Sequence, residues 1–99
     1  MANERRRLTD DEVAIALANL DGWNVVDGTL HREFKFANFV SAIAFIDRVA
    51  VHADALDHHP NWSNVYNRVT VELWTHDLGG ISALDFELAH KMNVVAQGI

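Results

Sequence analysis

The sequence contains no cysteine, one proline and few basic residues, and these shortages exclude several classes of protein. Without cysteine the chain can form neither a disulfide framework nor a thiolate metal site. Eight Lys and Arg residues stand against 14 Asp and Glu, a formal net charge of -6, whereas a nucleic-acid-binding surface needs clustered basic residues. No apolar run approaches the ~20 residues of a membrane span, and the polar N-terminus does not resemble a signal peptide. We therefore expect a cytoplasmic protein without direct contact to nucleic acid or membrane.

The length of the chain predicts a single domain, residues 1–99, because 99 residues are too few for two hydrophobic cores. The basic run Arg5-Arg6-Arg7 stands close to the terminus, and residues 1–8 are expected to form a flexible tail. A domain of this size buries only about two-thirds of the surface of its unfolded chain. Association with a second copy would remove more apolar surface from water.

Helical spacing of apolar residues predicts three helices, each preceded by a residue that can cap it. Thr9 and Glu12 can form a capping box for the first helix, which Gly22 ends. Asn38 can cap a long second helix, which must stop before Pro60 because proline disfavours helix at the residue before it. Ser82 can cap the third. The residues expected to face inward are, helix by helix, Val13, Ala16, Leu17 and Leu20; Phe39, Ile43, Ile46, Val49, Ala50, Ala53 and Leu56; Leu84, Leu88, Met92 and Val95.

Alternating apolar and polar residues predict four strands in two hairpins. Residues 23–26 and 30–36 flank the turn dipeptide Asp27-Gly28, in which glycine accepts a positive φ without cost. Residues 64–66 and 69–75 form the second pair. Hairpins pair antiparallel, so the order helix, hairpin, helix, hairpin, helix predicts an α+β fold, with a four-stranded antiparallel sheet and three helices on one face.

The run Asp57-His58-His59-Pro60 carries the clearest chemical signal, together with His76 at the end of the last strand. Histidine has an unperturbed pKa of ~6.5, so it can both take and give a proton near neutral pH. Three imidazoles that converge would indicate proton-transfer chemistry. Taken singly, a pair of histidines in a loop is usually a surface feature, since short motifs produce many false matches.

Three other residues could support these histidines, and each has an ordinary structural explanation. Asp54 lies about one helical turn before His58 and could orient it, or it could be a solvated carboxylate. Asp85 follows Ser82 by three positions, so it could equally complete a capping box. Trp62 could be an ordinary aromatic residue of the core or of a strand.

A metal site and a covalent mechanism are the competing interpretations, and both lack the residues they require. Zinc needs three or four ligands with directed partners, whereas the side chains of adjacent His58 and His59 tend to point apart. The sequence has no HExxH motif, no cysteine and no serine in a nucleophile-elbow context. We therefore expect neither a metal nor another cofactor.

The order Asp54-x3-His58-His59-Pro60-x5-Tyr66-x9-His76-x8-Asp85 resembles the pterin-4a-carbinolamine dehydratase family. The likeness extends from the first helix to the last, and seven positions at fixed spacing are far more specific than one histidine. Two positions depart from the family. Asp54 stands where relatives often have glutamate, and Trp74 is bulkier than the small residue of some relatives, which could reshape one wall of a pocket.

The resemblance implies a hydro-lyase that dehydrates 4a-hydroxytetrahydropterin to quinonoid dihydropterin, and so recycles the cofactor of aromatic amino-acid hydroxylases. It implies a catalytic trio of histidines, in which His58 and His76 form the acid/base pair, in either order, and His59 orients the substrate. The pterin edge would be lined by the same three histidines and by Asp57, Trp74 and Thr75. The supporting residues would be Asp54, Asp85 and Trp62, with Asp54 or Asp85 fixing an imidazole.

The resemblance also leaves alternatives and implies an assembly. Animal members act as dimerisation partners of a homeodomain transcription activator, so the fold could serve as a non-catalytic dimerisation or regulatory module. A regulatory or metal-binding protein that has lost the activity is a further alternative, although the intact histidines argue against loss. Relatives pair their sheets across a two-fold axis and some form tetramers, so we expect a homodimer, with a homotetramer as the second choice.

Overall fold

A computed structural model describes residues 5–99, and its order of elements confirms the predicted α+β fold. The four strands form one antiparallel sheet in the order β1-β2-β4-β3. No helix in the described part of the chain is long and apolar enough to cross a membrane. The elements are α1 (Asp10–Leu17), β1 (Asn24–Val26), β2 (Thr29–Lys35), α2 (Phe39–Ala55), β3 (Asn61–Val65), β4 (Arg68–Leu73) and α3 (Ala83–Gln97).

The central strands β2 and β4 supply one wall of the hydrophobic core. Leu30 pairs with Leu73 and Phe34 pairs with Val69, and directly opposed residues of an antiparallel pair lie on the same face. All four are buried, and α2 packs on them through Phe45, whose ring centroid lies 4.7 Å from that of Phe34. Leu88, Ala89 and Met92 of α3 belong to the same core. The helices thus cover one face of the sheet.

Several predicted boundaries of strands and helices were wrong. β3 begins at Asn61, three residues before the predicted start. Half-buried Trp62 and Asn64 alternate with exposed Asn61, Ser63 and Val65, so the apolar–polar alternation that marks a strand is weak here. The second hairpin's last strand ends at Leu73, and Thr75 instead makes an isolated bridge with Gly80. Helix α1 ends at Leu17, and the N–H groups of Asn19 and Leu20 then bond to carbonyls three residues earlier, which tightens the chain into a turn.

The predicted inward face of α2 was also wrong in part. Phe39, Ile43 and Ala50 are exposed, whereas the residues that the helix buries are Ala42, Phe45, Val49 and Ala53. This helix carries apolar residues around most of its circumference, so periodicity alone allows more than one inward stripe. In α3 the predicted Leu88 and Met92 are buried, while Leu84 and Val95 are only half-buried.

The described part of the N-terminal segment contacts the loop that follows β4. The Leu8 backbone N–H donates a 2.8 Å hydrogen bond to the Ile81 carbonyl, and the Leu8 side chain packs against the core. Arg5 forms an ion pair with Asp77. Residues 1–4 of the predicted flexible tail lie outside the described residues.

Candidate active site

The C-terminal end of α2 fixes the main chain at His58. Asp57 adopts a left-handed conformation, with φ of 50°, which aspartate tolerates better than most residues. The Asp57 N–H donates to the Asp54 carbonyl and the His58 N–H donates to the Ala53 carbonyl, both at 3.0 Å. This pair of bonds is a Schellman motif, which turns the chain sharply at a helix end. As a result the His58 side chain enters the interior and is 9% exposed.

The His58 ring meets a fully buried carboxylate from α3. Nε2 of His58 lies 2.5 Å from Oδ1 of Asp85. The other carboxylate oxygen, Oδ2, accepts the Ser82 backbone N–H at 2.8 Å and the Thr75 hydroxyl at 3.0 Å, and the Thr75 and Ser82 hydroxyls are 2.6 Å apart. A buried carboxylate is costly unless it is paired and hydrogen-bonded. Asp85 therefore does both jobs considered from the sequence, contacting an imidazole and capping α3.

His59, unlike His58, remains exposed. Its Nε2 lies 3.4 Å from Oδ1 of Asp54, and both side chains are largely open to solvent. The sequence suggested that Asp54 could orient His58, and this pairing was wrong, because the Schellman turn directs His58 away from its own helix. Trp62 is half-buried and borders a neighbouring groove together with Asp54 and His59.

The loop after β4 presents His76. The Thr75 N–H donates to the Gly80 carbonyl at 2.8 Å, and Gly79 takes a positive φ of 69°, so residues 75–80 form a closed loop. His76 is exposed on this loop and stacks on Trp74, with ring centroids 4.3 Å apart and planes inclined by 21°. This contact restrains the orientation of an otherwise exposed imidazole.

The three histidines of the predicted site line one open cleft of about 670 Å³. That volume lies within the range of small-molecule pockets. Of the other predicted substrate contacts, Asp57 and Thr75 line the cleft, whereas Trp74 is not among its lining residues. The remaining lining residues are Arg5, Pro60, Asn61 and Asp77.

Arg5 and Asp77 were not predicted from the sequence as site residues. Asp77 directly follows His76, a proximity that could have indicated it, but nothing in the sequence connects Arg5 with a residue 72 positions away. The hydrogen bond from Arg5 is the main cause that lowers the pKa of Asp77 below its ordinary value. The rim of the cleft thus carries a fixed pair of opposite charges beside the histidines.

The cleft offers imidazole nitrogens, an arginine and carboxylates to a small molecule. Among residues 5–99, no group of three or more His, Asp or Glu side chains is placed to hold a metal ion. Imidazoles at the wall of a cleft can donate and accept protons from a bound molecule. The fold and the cleft together define a small α+β protein with a cleft lined by three imidazoles.

Comparison with known proteins identifies the family. The family model described as pterin 4 alpha carbinolamine dehydratase matches residues 6–95. A relative from Solibacter usitatus (strain Ellin6076), named as a candidate pterin-4-alpha-carbinolamine dehydratase, is 50% identical over 92 residues, which cover 93% of this chain and 97% of the relative. A Brucella ovis protein with the same name is 49% identical, with the same two coverages. The chain belongs to the pterin-4-alpha-carbinolamine dehydratase family, which confirms the resemblance and the assignment to a family of lyases.

Solved structures show the same architecture. The crystal structure of a transcriptional coactivator/pterin dehydratase from Brucella melitensis superposes with a TM-score of 0.90 at 47% identity, and covers 92% of this chain and 99% of that one. A pterin dehydratase-like protein identified as a RuBisCO assembly factor in the alpha-carboxysome gives a TM-score of 0.64 at 22% identity, over 76% of this chain and 89% of that one. At this lower identity the likeness concerns the fold alone.

Proposed function

We propose that this chain dehydrates 4a-hydroxytetrahydropterin to quinonoid dihydropterin in the cytoplasm, and so recycles the pterin cofactor of aromatic amino-acid hydroxylases. The observation that carries the proposal is the convergence of His58, His59 and His76 on one cleft, in a chain of the dehydratase family. Arg5 and Asp77 at the rim add hydrogen-bonding groups suited to a polar heterocycle.

The reaction needs two proton transfers, and the cleft has groups for both. A base removes a proton from a ring nitrogen, and the electrons of that N–H bond form a C=N bond. The bond from carbon 4a to its hydroxyl breaks as an acid protonates the leaving oxygen, which departs as water. His58 and His76 are the proposed base and acid pair, and a positioned group of this kind contributes roughly 10²–10⁴-fold to the rate.

The remaining residues hold the substrate and the histidines in place. His59 lies beside the catalytic pair on the cleft wall and orients the pterin. Asp57 and Thr75 line the same cleft, where they contact the pterin edge partly through backbone groups. Asp85 holds the His58 ring through the 2.5 Å contact, and Asp54 lies beside His59.

Alanine substitutions of the histidines test this function. His58→Ala or His76→Ala should lower kcat by about 10²–10⁴-fold, and His59→Ala should mainly raise KM. The assay follows the pterin absorbance after fresh carbinolamine is generated. His90→Ala is the matched control, because His90 is exposed on α3 and lines a separate groove. The proposed reaction needs no metal, so activity should survive exhaustive chelation.

Two outcomes would contradict the assignment. Unchanged turnover in both His58→Ala and His76→Ala would remove the acid–base pair. Loss of activity on chelation with recovery on adding zinc would require a Lewis-acid mechanism instead.

A regulatory binding module is the second candidate function. The Brucella melitensis relative is described as a transcriptional coactivator as well as a pterin dehydratase. In this chain α2 exposes apolar side chains, among them Val40 and Val51, which a partner could cover. A chain that lacks dehydratase activity while its cleft is intact would favour this module.

We further propose that the chain forms a homodimer, with a homotetramer as the second choice. Within residues 5–99, β1 and β3 each pair with one strand only and form the two edges of the sheet. Exposed strand edges are commonly paired or covered in natural proteins. A two-fold contact would use the same patch on both copies.

A further inference from the structure

Two buried hydroxyl groups lie behind the cleft and extend the contact between His58 and Asp85. Thr75 is 2% exposed and Ser82 is 1% exposed, so neither hydroxyl is open to solvent. They come from different elements: Thr75 follows β4 and Ser82 precedes α3. The fold therefore brings the Thr75 hydroxyl onto the Asp85 carboxylate, and the Ser82 hydroxyl lies behind it, in contact with the Thr75 hydroxyl.

With Asp85 ionised, counting protons along this series of hydrogen bonds assigns every donor. Oδ2 of Asp85 receives the Ser82 backbone N–H and the Thr75 hydroxyl. A threonine hydroxyl has a single proton, so the 2.6 Å contact between the two hydroxyls requires Ser82 to donate to Thr75. An ionised carboxylate only accepts hydrogen bonds. The proton in the contact between Oδ1 and the ring must then come from Nε2 of His58.

The second ring nitrogen of His58 is left for the cleft. Among residues 5–99, no buried side-chain nitrogen or oxygen lacks a partner, and the hydrogen bond of the His58 ring is made through Nε2. The side chain keeps 10% of its surface exposed and lines the cleft. Nδ1 is therefore the nitrogen that reaches the cleft, and in the neutral ring with a proton on Nε2 it carries a lone pair.

We propose that Thr75 and Ser82 are positioning residues, which hold His58 in the tautomer protonated on Nε2 and so present Nδ1 to the substrate as the base. The inference rests on the proposed function for its catalytic part. In the dehydration, Nδ1 of His58 takes the proton from the ring nitrogen and His76 gives the proton to the leaving hydroxyl. The order of acid and base, left open by the sequence, follows from this chain of hydrogen bonds.

Capping of α3 is the competing explanation for these residues. A substitution at Thr75 distinguishes capping from the positioning of His58. The cap needs only the Asp85 carboxylate and the Ser82 backbone N–H, at 2.8 Å. The Thr75 hydroxyl adds nothing to a helix N-terminus. If the network served only the cap, removing that hydroxyl would affect stability alone.

The test compares Thr75→Val with Thr75→Ser. Valine keeps the branched shape but removes the hydroxyl, whereas serine keeps the hydroxyl. The first readout is the ¹⁵N NMR spectrum of the His58 ring at the assay pH, without substrate. The second is kcat and KM for the carbinolamine. In the parent and in Thr75→Ser we expect the tautomer with the proton on Nε2. In Thr75→Val we expect a mixture of the two tautomers, with kcat lowered by about 10–100-fold and KM similar to the parent, which is the usual cost of losing an outer-shell partner.

The two readouts separate this inference from the proposed function. A parent His58 with a proton on Nδ1, or a Thr75→Val variant with parental tautomer and kcat, overturns the inference. A different result is a parent that shows the expected tautomer, with a shift in Thr75→Val, and yet has no dehydratase activity. That result overturns the proposed function and supports the positioning role. If Thr75→Val does not fold, Ser82→Ala removes the hydroxyl behind Thr75 and is expected to shift the tautomer in the same direction.

Discussion

His58 and His76 are held in the same cleft by different means. His58 is buried, and hydrogen bonds fix both its main chain and its ring. His76 is exposed, and the stacked contact with Trp74 restrains its ring. Trp74 was predicted from the resemblance to line the pterin edge, and that stays a prediction. The stacking geometry gives Trp74 a second way to affect the reaction, through the orientation of His76.

Substitution at Trp74 distinguishes stacking from substrate contact. Stacked aromatic pairs contribute about 0.5–1.5 kcal/mol beyond their buried area, so Trp74→Leu should lower kcat by up to roughly tenfold, and Trp74→Phe should retain most of the activity. Steady-state kinetics measure the effect, and the ring-current shift of the His76 protons reports the stack directly. A rise in KM without a change in kcat would instead assign Trp74 to substrate binding.

At the level of single elements, α1 starts with a reciprocal cap that an arginine reinforces. The Thr9 hydroxyl accepts the Glu12 N–H at 3.2 Å, and the Glu12 carboxylate accepts the Thr9 N–H at 2.9 Å. Arg6 donates to both carboxylate oxygens, at 2.7 and 2.6 Å. These bonds, the one from Arg6 first, lower the pKa of Glu12 from 4.5 to about 2.

The lowered pKa makes this contribution to stability depend on pH. The folded chain holds the ionised form of Glu12 more strongly than the unfolded chain does, so the stabilisation is complete above pH 4.5 and disappears as the pH falls towards 2. Glu12→Gln keeps an acceptor for the Thr9 N–H but removes the charge. Urea unfolding should show the parent more stable than Glu12→Gln at pH 7, with a smaller difference at pH 3. An equal difference at both pH values would exclude this ionisation as the cause.

At the level of the whole molecule, the two sheet edges differ in length and surroundings. β1 offers three residues and β3 offers five. Val65, which ends β3, and Tyr66, which follows it, are 73% and 63% exposed, more than Val25 and Val26 of β1 at 43% and 41%. A longer edge bordered by exposed apolar side chains is the better candidate for pairing with another strand. We therefore expect the two-fold contact of the proposed homodimer at β3.

Light scattering coupled to gel filtration tests this assembly. The parent should elute with the mass of two chains, or of four, at micromolar concentration. Val65→Asp should shift the equilibrium towards the monomer, because it places like charges close together across a two-fold contact. Ile15→Asp is the control, since Ile15 is 71% exposed on α1, away from the sheet edge. The mass of a single chain for the parent protein would refute the homodimer.

Local patterns in the sequence were sufficient for the order of elements and for the choice of histidines. Thr9, Asn38 and Ser82 each directly precede a helix, because a cap depends on only three or four neighbouring residues. The motif that contains His58, His59 and His76 pointed to these three histidines, and all three line the cleft. Each cap depends on residues that are close neighbours in the sequence, so residue type and spacing are enough to predict it.

The buried face of α2 and the partner of His58 depended on packing between distant segments. Apolar residues surround much of α2, and contact with the sheet selected the stripe that contains Phe45 and Val49. Asp54 is four residues from His58, yet Asp85, 27 residues away, holds its ring. The turn at Asp57 and the position of α3 place that carboxylate in the interior, and no local pattern specifies either the direction of a side chain after a helix end or the helix that it meets.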